Sequence, residues 1–251
     1  MRKYHTGLVL SGGAARGFVH LGVMKALDEA GIKPDIISAV SAGAIAGAFY
    51  ADGYVPEEIL EIYNVKSMRD LVRIHVPKTG FFNADGLRNT LKKNLRAKTI
   101  EQLKIPMVIG VTNLLTGKPE YKRSGNLVDI IMASSCVPVL FEVVHIDDVP
   151  YIDGGVMNNL PVEPIGNQCK RLIGVYIIPS GEIENLKGIV HVAERAFYLT
   201  ISSKITGKEY LFDTYIAPQE VTRYGFFDTR RAKEMFELGY DHAREQLRAK
   251  N

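Results

Sequence analysis

A serine that follows a buried apolar run and precedes small residues is the first candidate for chemistry. Ser41 lies within residues 39–43 (Ala-Val-Ser-Ala-Gly), directly after the apolar segment 36–40. A serine at a sharp strand-to-helix turn presents its hydroxyl at the carboxyl edge of a sheet, beside the N-terminus of the next helix. Such a cramped turn favours small neighbours. The pattern therefore indicates a nucleophile, while Ser41 taken alone leaves open a helix N-cap serine.

A glycine-rich turn upstream of Ser41 is the second candidate. Residues 11–17 (Ser-Gly-Gly-Ala-Ala-Arg-Gly) stand between an apolar run and a predicted helix. The N–H groups of such a turn have no intrahelical partner and can point at one anionic oxygen. Glycine also lets the main chain adopt positive φ and lets a ligand approach closely. The turn fits an oxyanion hole or a phosphate cradle, and a tight turn without a ligand is the plainer alternative.

An aspartate at the end of a predicted strand is the third candidate. Asp153 is followed by Gly154 and Gly155, with Asn158 and Asn159 close behind. This spacing can present a carboxylate to a pocket, although an Asp-Gly pair is also common in hairpin turns. The asparagines could cap turns or hold the aspartate in place. Taken together, the three segments supply an anion hole, a nucleophile and a base.

In this order the three segments resemble the motifs of the patatin-like phospholipases. That family carries a Gly-Gly-Gly-x-Arg/Lys-Gly loop, a Gly-x-Ser-x-Gly elbow and an Asp-Gly-Gly/Ala motif, which correspond here to residues 12–17, 39–43 and 153–155. The resemblance extends from the first predicted strand to about Pro164. Alanine replaces glycine in the loop and at the start of the elbow. A Cβ in the elbow could narrow the site or shift the serine.

The resemblance implies a Ser–Asp dyad without histidine, in a carboxylic ester hydrolase that needs no cofactor and no metal. Ser41 would attack the ester carbonyl of a lipid substrate, and Asp153 would take its proton. The backbone N–H groups of Gly12, Gly13 and Ala14 would form the oxyanion hole, with Ala14 able to donate provided that its φ is negative. A carboxylate at its ordinary pKa is a poor base for serine, so a partly desolvated site is expected.

The remaining motif residues receive supporting roles from the same resemblance. Arg16 and Gly17 would support the loop or contact a substrate phosphate. The elbow and the Asp-Gly-Gly motif would depend on small residues for their geometry, namely Ala39, Gly43, Gly154 and Gly155. The substrate would be a fatty-acyl ester or a phospholipid. Two aromatic clusters could bind its acyl chain: Phe81 with Phe82, and residues 224–227.

The elements that must position these residues alternate between strand and helix. We predict a single three-layer α/β/α domain over residues 1–251 with a mostly parallel central sheet. The apolar runs predict strands over 6–10, 36–40, 107–112 and 172–178, and a hairpin over 143–151 that turns at Asp147-Asp148. Helical spacing predicts helices over 17–30, 42–51, 84–95 (capped by Asn83), 127–135, 188–205 and 230–249, besides a short helix after Pro56.

Composition limits the partners and the location. The net charge of +3, from 31 basic and 28 acidic side chains, does not indicate nucleic acid as a partner. Two cysteines without metal-ligand spacing fit a cytoplasmic protein. No apolar stretch approaches the roughly 20 residues that span a bilayer, so membrane contact is expected to be peripheral, at the inner membrane surface. The apolar stripe of the last helix leaves a homodimer open.

Three other functions compete with the dyad. Ser41, Asp153 and His242 stand in the order of a Ser-His-Asp hydrolase. The spacing of Gly12 and Gly17, with Asp35 downstream, loosely copies a dinucleotide-binding fingerprint. The third alternative is a catalytically weak or inactive lipid-binding or scaffold protein of the same fold.

Overall fold

The computed structural model of the chain describes residues 2–64, 73–74, 80–179, 188–202, 205, 207–225 and 227–249. The strands are β1 (Tyr4–Leu10), β2 (Ile36–Ala39), β3 (Arg73–Ile74), β4 (Gly80–Asn83), β5 (Met107–Asn113), β6 (Lys118–Lys122), β7 (Val139–Phe141), β8 (Val144–Ile146), β9 (Val149–Asp153), β10 (Cys169–Val175) and β11 (Thr214–Ile216). The helices are α1 (Phe18–Glu29), α2 (Ser41–Ala51), α3 (Pro56–Asn64), α4 (Asp85–Asn94), α5 (Leu127–Ser135), α6 (Gly155–Asn158), α7 (Gly188–Ser202) and α8 (Ala232–Arg248).

The main sheet has the order β11-β10-β1-β2-β5-β9-β8, with β6 also paired to β5. From β11 to β5 every neighbouring pair is parallel, whereas β9, β8 and β6 join in antiparallel fashion. Helices cover both sides of this sheet. Strands β3, β4 and β7 form a smaller sheet. The predicted α/β/α layers and mostly parallel sheet are therefore confirmed.

The central strands are apolar along their length because both faces of the sheet are covered. Every residue of β2 and β5 is buried, and so are the last five residues of β1. Such continuous apolar runs are typical of parallel strands between helices. The carboxyl ends of β1 and β2 lie side by side, in register from Gly7 and Ile36 to Leu10 and Ala39. The segments that follow these two strands therefore meet at one edge of the sheet.

Several predicted boundaries differ from the structure. Helix α4 begins after Ala84 as its N-cap residue, not after Asn83. Strand β10 begins at Cys169 and ends at Val175, so it begins and ends three residues before the predicted strand 172–178. Strand β6 was not predicted, since its sequence Lys-Pro-Glu-Tyr-Lys lacks an apolar run and contains a proline that only an edge strand tolerates. The hairpin at Asp147-Asp148 was predicted correctly.

The segment beyond residue 165 shares the sheet and the helix layers with the segment before it. Strand β10 pairs with β1, and α8 packs on α1 at backbone distance. A Cβ on Gly22 would lie 1.9 Å from the Phe236 carbonyl oxygen, and one on Gly239 would lie 2.2 Å from the Val19 carbonyl oxygen. The extent of the domain over 1–251 stays a prediction. Among the helices that the structure describes, no helix combines the length and the apolar character needed to cross a membrane.

Candidate active site

Ser41 is the first residue of α2 and has a left-handed backbone, with φ of 52°. Its predecessor Val40 is the N-cap residue of that helix, so the N-cap alternative for the serine is wrong. Positive φ is uncommon for residues other than glycine and costs about 1–3 kcal/mol where the surroundings enforce it. The elbow conformation therefore has to be held by contacts around it.

Ser134, a fully buried residue of α5, supplies one such contact. The Ser41 N–H donates to Ser134 Oγ at 2.9 Å, and the Ser134 hydroxyl donates to the Gly110 carbonyl oxygen at 2.7 Å. The elbow is thus tied through one side chain to the central strand β5. Sequence reasoning missed Ser134, because nothing in its local pattern distinguishes it from the adjacent Ser135.

The small residues of the elbow allow α2 to approach the end of β1. A Cβ on Gly43 would lie 2.6 Å from the Ser11 carbonyl oxygen, and one on Gly17 would lie 2.9 Å from the Ala42 Cβ. Ala39 ends β2, is fully buried and has no positive φ. The Cβ in place of the family's glycine is therefore accommodated within the sheet, without backbone strain at that position.

The glycine loop differs from expectation at two residues. The Gly12 N–H donates to Asn159 Oδ1 at 3.1 Å, so this N–H is occupied by the protein and is not left for an oxyanion. Ala14 has φ of 50°, so the condition of a negative φ that was attached to donation by its N–H is not met. The loop reaches its shape with alanine in a left-handed conformation that glycine would adopt without strain. A positive φ does not by itself prevent an N–H from donating, and Ala14 lines the same cavity as Ser41. With the Gly12 N–H occupied, those of Gly13 and Ala14 stay the candidate oxyanion donors.

Arg16 lies under the loop. Its side chain is buried, Nε donates to the Tyr224 carbonyl oxygen at 2.9 Å, and the guanidinium lies 4.9 Å from the ring centroid of Tyr198. This placement fits support of the loop better than contact with a substrate phosphate. Tyr224 is fully buried, so it packs in the core and does not offer its ring to an acyl chain. Phe226 and the side chains of Phe81 and Phe82 lie outside the described residues.

Asp153 ends the antiparallel strand β9 and is almost completely buried. Its Oδ1 accepts from the Gly155 N–H at 2.7 Å, and its backbone carbonyl oxygen accepts from Thr112 Oγ1 at 2.9 Å. A Cβ on Gly154 would lie 2.2 Å from the Gly110 carbonyl oxygen, so only glycine fits against β5 there. The Asp-Gly-Gly motif is thus a close contact between two strands and also the position of a carboxylate.

Burial controls the ionisation of this carboxyl group. Loss of solvent raises the pKa of Asp153 to about 7, while hydrogen bonding from the Ser41 hydroxyl and the Gly155 N–H opposes that rise. Within the described residues, Asp153 Oδ2 makes no direct hydrogen bond that meets full geometry. A base with a pKa near neutrality suits proton transfer from serine. Burial of the neighbouring Cys136, together with the charge of Asp153, raises the pKa of the Cys136 thiol to about 12.

Beside Ser41 lies a cavity of about 340 Å³ with mostly apolar walls. Helices α1 to α5 contribute many of its apolar residues, among them Phe18, Leu21, Ile45, Ile59, Leu87 and Met132. Polar side chains also line it, including Arg88, which pairs with Asp129, and His145. An apolar cavity with few polar groups next to a buried serine could hold the acyl chain of an ester.

Two histidines, His20 and His242, have hydrogen-bond partners other than Ser41. His20 is fully buried, and one ring nitrogen hydrogen-bonds with the Ser11 carbonyl oxygen at 2.8 Å. Burial lowers the pKa of His20 to about 4, so its ring is neutral and contacts the start of the glycine loop. His242 lies on α8, hydrogen-bonds with Gln246, and does not line the cavity beside Ser41.

Asp35 is placed away from any nucleotide that the glycine loop could bind. Its Oδ2 accepts from the N–H groups of His5 and Thr6, at 3.0 and 2.7 Å. These residues stand at the start of β1, whereas the loop follows the end of that strand. The acidic residue of a dinucleotide-binding fingerprint should lie near the loop. The geometry therefore contradicts that alternative.

Comparison with known proteins identifies the family. The sequence model of the family described as Patatin-like phospholipase matches residues 8–165, and the chain belongs to this family. The predicted resemblance is confirmed, and with it the assignment to a family of lipid ester hydrolases.

Relatives with curated descriptions extend the likeness. A lysophospholipase NTE1 of Kluyveromyces lactis is 27% identical over a gapped alignment of 277 positions, which covers 96% of this chain and 19% of that protein. An uncharacterized NTE family protein of Mycobacterium tuberculosis (strain H37Rv) is 32% identical over 161 residues, covering 63% of this chain and 44% of that protein. The chain thus corresponds to only part of each relative.

A solved structure supports the fold. VipD from Legionella pneumophila aligns with a TM-score of 0.55 at 18% identity, over 98% of this chain and 67% of that chain. At this identity the likeness concerns the fold alone.

Proposed function

We propose that this chain is a serine acyl hydrolase that cleaves fatty-acyl esters with a Ser41–Asp153 dyad. The observation that carries the proposal is the left-handed Ser41 at the wall of an apolar cavity, beside a buried carboxyl group whose pKa is about 7. The family assignment and the lysophospholipase among the relatives support the same class of substrate.

In the first half of the reaction, Asp153 accepts the proton of the Ser41 hydroxyl as Oγ attacks the ester carbonyl carbon. The carbonyl oxygen becomes an oxyanion, and the N–H groups of Gly13 and Ala14 are the donors that the loop offers to it. The tetrahedral intermediate collapses to an acyl-serine ester. The proton on Asp153 passes to the departing alcohol oxygen, which restores the carboxylate.

In the second half, water replaces serine as the nucleophile. Asp153 accepts a proton from the water molecule as its oxygen attacks the acyl carbon, and the same N–H groups bind the new oxyanion. Collapse releases the fatty acid and returns the proton to Ser41 Oγ. One carboxyl group with a pKa near neutrality can act as base and acid in turn.

The cavity suggests how the substrate is placed. Ser41 and Ile45 lie one turn apart on α2, and both line the cavity. An acyl chain that runs along this helix brings its carbonyl group next to Ser41 Oγ. Burial of the chain against apolar walls gains free energy in proportion to the area removed from water. Fatty-acyl esters and phospholipids both present such a chain.

A fluorophosphonate probe tests the nucleophile, because labelling requires an activated serine. We expect the wild-type protein to be labelled and Ser41→Ala to lose both labelling and hydrolysis of p-nitrophenyl esters. Ser135→Ala is the matched control, since Ser135 also lines the cavity. An unlabelled wild-type protein, or undiminished labelling of Ser41→Ala, would refute the proposal and favour a lipid-binding protein of the same fold.

A second comparison separates the dyad from a triad. His242→Ala should hydrolyse the esters at the wild-type rate, since that residue does not line the cavity beside Ser41. A folded His242→Ala variant without activity would refute the dyad.

The setting of the reaction stays a set of predictions. We propose a cytoplasmic protein that contacts membranes peripherally, with a homodimer as its candidate assembly. Sedimentation with phosphatidylcholine vesicles tests the membrane contact, and light scattering of the purified protein tests the homodimer. Protein that stays in the supernatant and has the mass of one chain would contradict both.

A further inference from the structure

Beyond the dyad, the geometry points to Asn159 as a positioning residue that fixes the glycine loop against the Asp153 turn. The inference rests on the proposed function, because it assigns the loop to the oxyanion. Asn159 follows α6 directly as its C-cap residue and is almost completely buried. Its Oδ1 accepts from the Gly12 N–H at 3.1 Å, across 147 residues of sequence.

The Asn159 amide oxygen occupies the gap between the two catalytic segments. On the loop side, a Cβ built on Gly12 would lie 2.7 Å from Asn159 Oδ1 and 3.0 Å from the Ser41 Cβ. On the turn side, a Cβ built on Gly155 would lie 2.6 Å from Asn159 Oδ1 and 3.0 Å from Asp153 Oδ1. One oxygen atom therefore approaches the loop, and it also lies close to the aspartate and the serine.

The orientation of the amide follows from its partner. Because the Gly12 N–H can only donate, the atom that faces it must be the acceptor oxygen. Asn159 Nδ2 is then buried without a partner among the described residues. An unpaired buried N–H costs free energy. A buried side chain that leaves a polar group unpaired is expected at functional sites, where its role in the reaction outweighs its cost in stability.

The bond on Gly12 acts on the two N–H groups that follow it. Gly13 and Ala14 are the candidate oxyanion donors, and Ala14 is held at a φ of 50° that an unconstrained alanine would leave. With the Gly12 N–H fixed, the next two peptide units have little freedom to rotate. Loss of the acceptor should let the loop relax, so that binding of substrate persists while stabilisation of the oxyanion falls.

The acceptor also has to be neutral. A carboxylate at position 159 would accept the same hydrogen bond, but it would add a negative charge beside Asp153 and beside the oxyanion. A like charge at this distance raises the pKa of a neighbouring carboxyl group. Asparagine offers the acceptor without that charge.

Three variants test the inference: Asn159→Ala removes the acceptor, Asn159→Asp keeps it with a charge, and Asn158→Ala is the adjacent control. Asn158 faces elsewhere, since its Nδ2 donates to the Tyr121 hydroxyl at 2.8 Å and to Glu163 Oε2 at 2.6 Å. The measurements are ester hydrolysis as a function of pH, the thermal midpoint, and hydrogen exchange of the peptide that contains Gly12 and Gly13.

We expect Asn159→Ala to lower kcat for a p-nitrophenyl ester about 10- to 100-fold, less than the loss of about 10²- to 10³-fold that follows removal of a whole oxyanion donor. KM should stay near the wild-type value, because the loop is expected to stabilise the transition state more than the bound substrate. Its loop peptide should exchange faster than that of the wild type. Asn159→Asp should keep the slow exchange but move the acidic limb of its pH–rate profile to higher pH. Asn158→Ala should match the wild type in kcat, pH profile and loop exchange.

The outcomes separate this inference from the proposed function. A wild-type protein that fails to react with a fluorophosphonate refutes the dyad, and the exchange of the loop peptide still reports on Asn159. Unchanged loop exchange in Asn159→Ala, or a pH profile of Asn159→Asp that matches the wild type, overturns the inference. Should Asn159→Ala fail to fold, the shifted pH profile of a folded Asn159→Asp decides alone.

Discussion

The proposed nucleophile, Ser41, and the proposed base, Asp153, are held in place in different ways. Ser41 follows a parallel strand, sits at the cavity wall, and owes its position to a left-handed backbone tied to Ser134. Asp153 ends an antiparallel strand, lies behind that wall, and has a pKa raised by burial. The serine is thus positioned by backbone conformation, whereas the aspartate is tuned by its surroundings. Changes to one side should alter geometry, and changes to the other should alter ionisation.

Among variants that keep Ser41, the largest effect is expected when the proposed base is removed. Asp153→Asn should lower kcat/KM by about 10²- to 10⁴-fold, because general base catalysis contributes on this scale. Steady-state hydrolysis of a p-nitrophenyl ester measures it. Asp148→Asn is the control: Asp148 is exposed in the β8–β9 turn, and asparagine tolerates its φ of 62°. Activity of Asp153→Asn close to that of the wild type would show that the carboxylate is not the base.

Ionisation of the same group should appear in both activity and stability. Activity should fall about tenfold per pH unit below the Asp153 pKa of about 7, because the protonated acid cannot accept the serine proton. For stability the sign is opposite to that of a salt-bridged aspartate. The folded-state pKa is raised above the ordinary value of 3.8, so the folded protein binds the proton more tightly and loses stability as pH rises from about 4 to about 7.

Asp153→Asn should remove that loss. The variant should exceed the wild type in free energy of unfolding by about 4 kcal/mol at pH 8, and by little at pH 4, since each pKa unit corresponds to about 1.4 kcal/mol. Urea unfolding at the two pH values measures the difference. An equal change at both pH values would mean that burial does not shift this carboxyl group.

On the nucleophile side, the expected effect is smaller and independent of pH. Ser134→Ala leaves the Ser41 N–H without its acceptor and frees the left-handed backbone. We expect kcat to fall about 10- to 100-fold, the equivalent of roughly 1–3 kcal/mol for a buried group left unpaired. The pH–rate profile should keep its shape. Ser135→Ala serves as the adjacent control, and a shifted acidic limb in Ser134→Ala would contradict the division between geometry and ionisation.

The smallest effect concerns Ala14. Replacement by glycine relieves the cost of positive φ but adds freedom to the unfolded chain, so the two contributions nearly cancel. Ala14→Gly should change the free energy of unfolding by less than about 1 kcal/mol and keep the rate of fluorophosphonate labelling. A labelling rate that falls tenfold, about 1.4 kcal/mol in the activation barrier, would show that the alanine methyl group itself contributes to the site.

The sequence predicted the elements that local patterns encode. Strands β1 and β2, helices α1 and α2 and the β8–β9 turn follow from apolar runs, helical spacing and turn residues. The three motif segments were recognised for the same reason, because each is contiguous. The prediction of a serine at a sharp strand-to-helix turn rested on the apolar run before Ser41 and the small residues around it, whereas its left-handed backbone is known only from the structure.

Contacts between distant segments could not be predicted. The bonds Ser41–Ser134 and Gly12–Asn159 join residues 93 and 147 positions apart, and no local pattern specifies them. The occupied Gly12 N–H and the positive φ of Ala14 could not be predicted, because both depend on what packs against the loop. The pKa of Asp153 likewise depends on burial, which only the assembled fold defines.

The contact between α1 and α8 has a consequence for biosynthesis. The reciprocal approach of Gly22 and Gly239 brings the first long helix against the last one, and α1 begins directly after the glycine loop. During translation, the segment that carries the loop and Ser41 emerges early and then waits for its final partner. Until residues 232–248 have left the ribosome, the side of α1 that packs against α8 is uncovered, and long-range contacts of this kind slow folding. The nascent chain is therefore expected to acquire a competent site late, and to need shielding from aggregation before then.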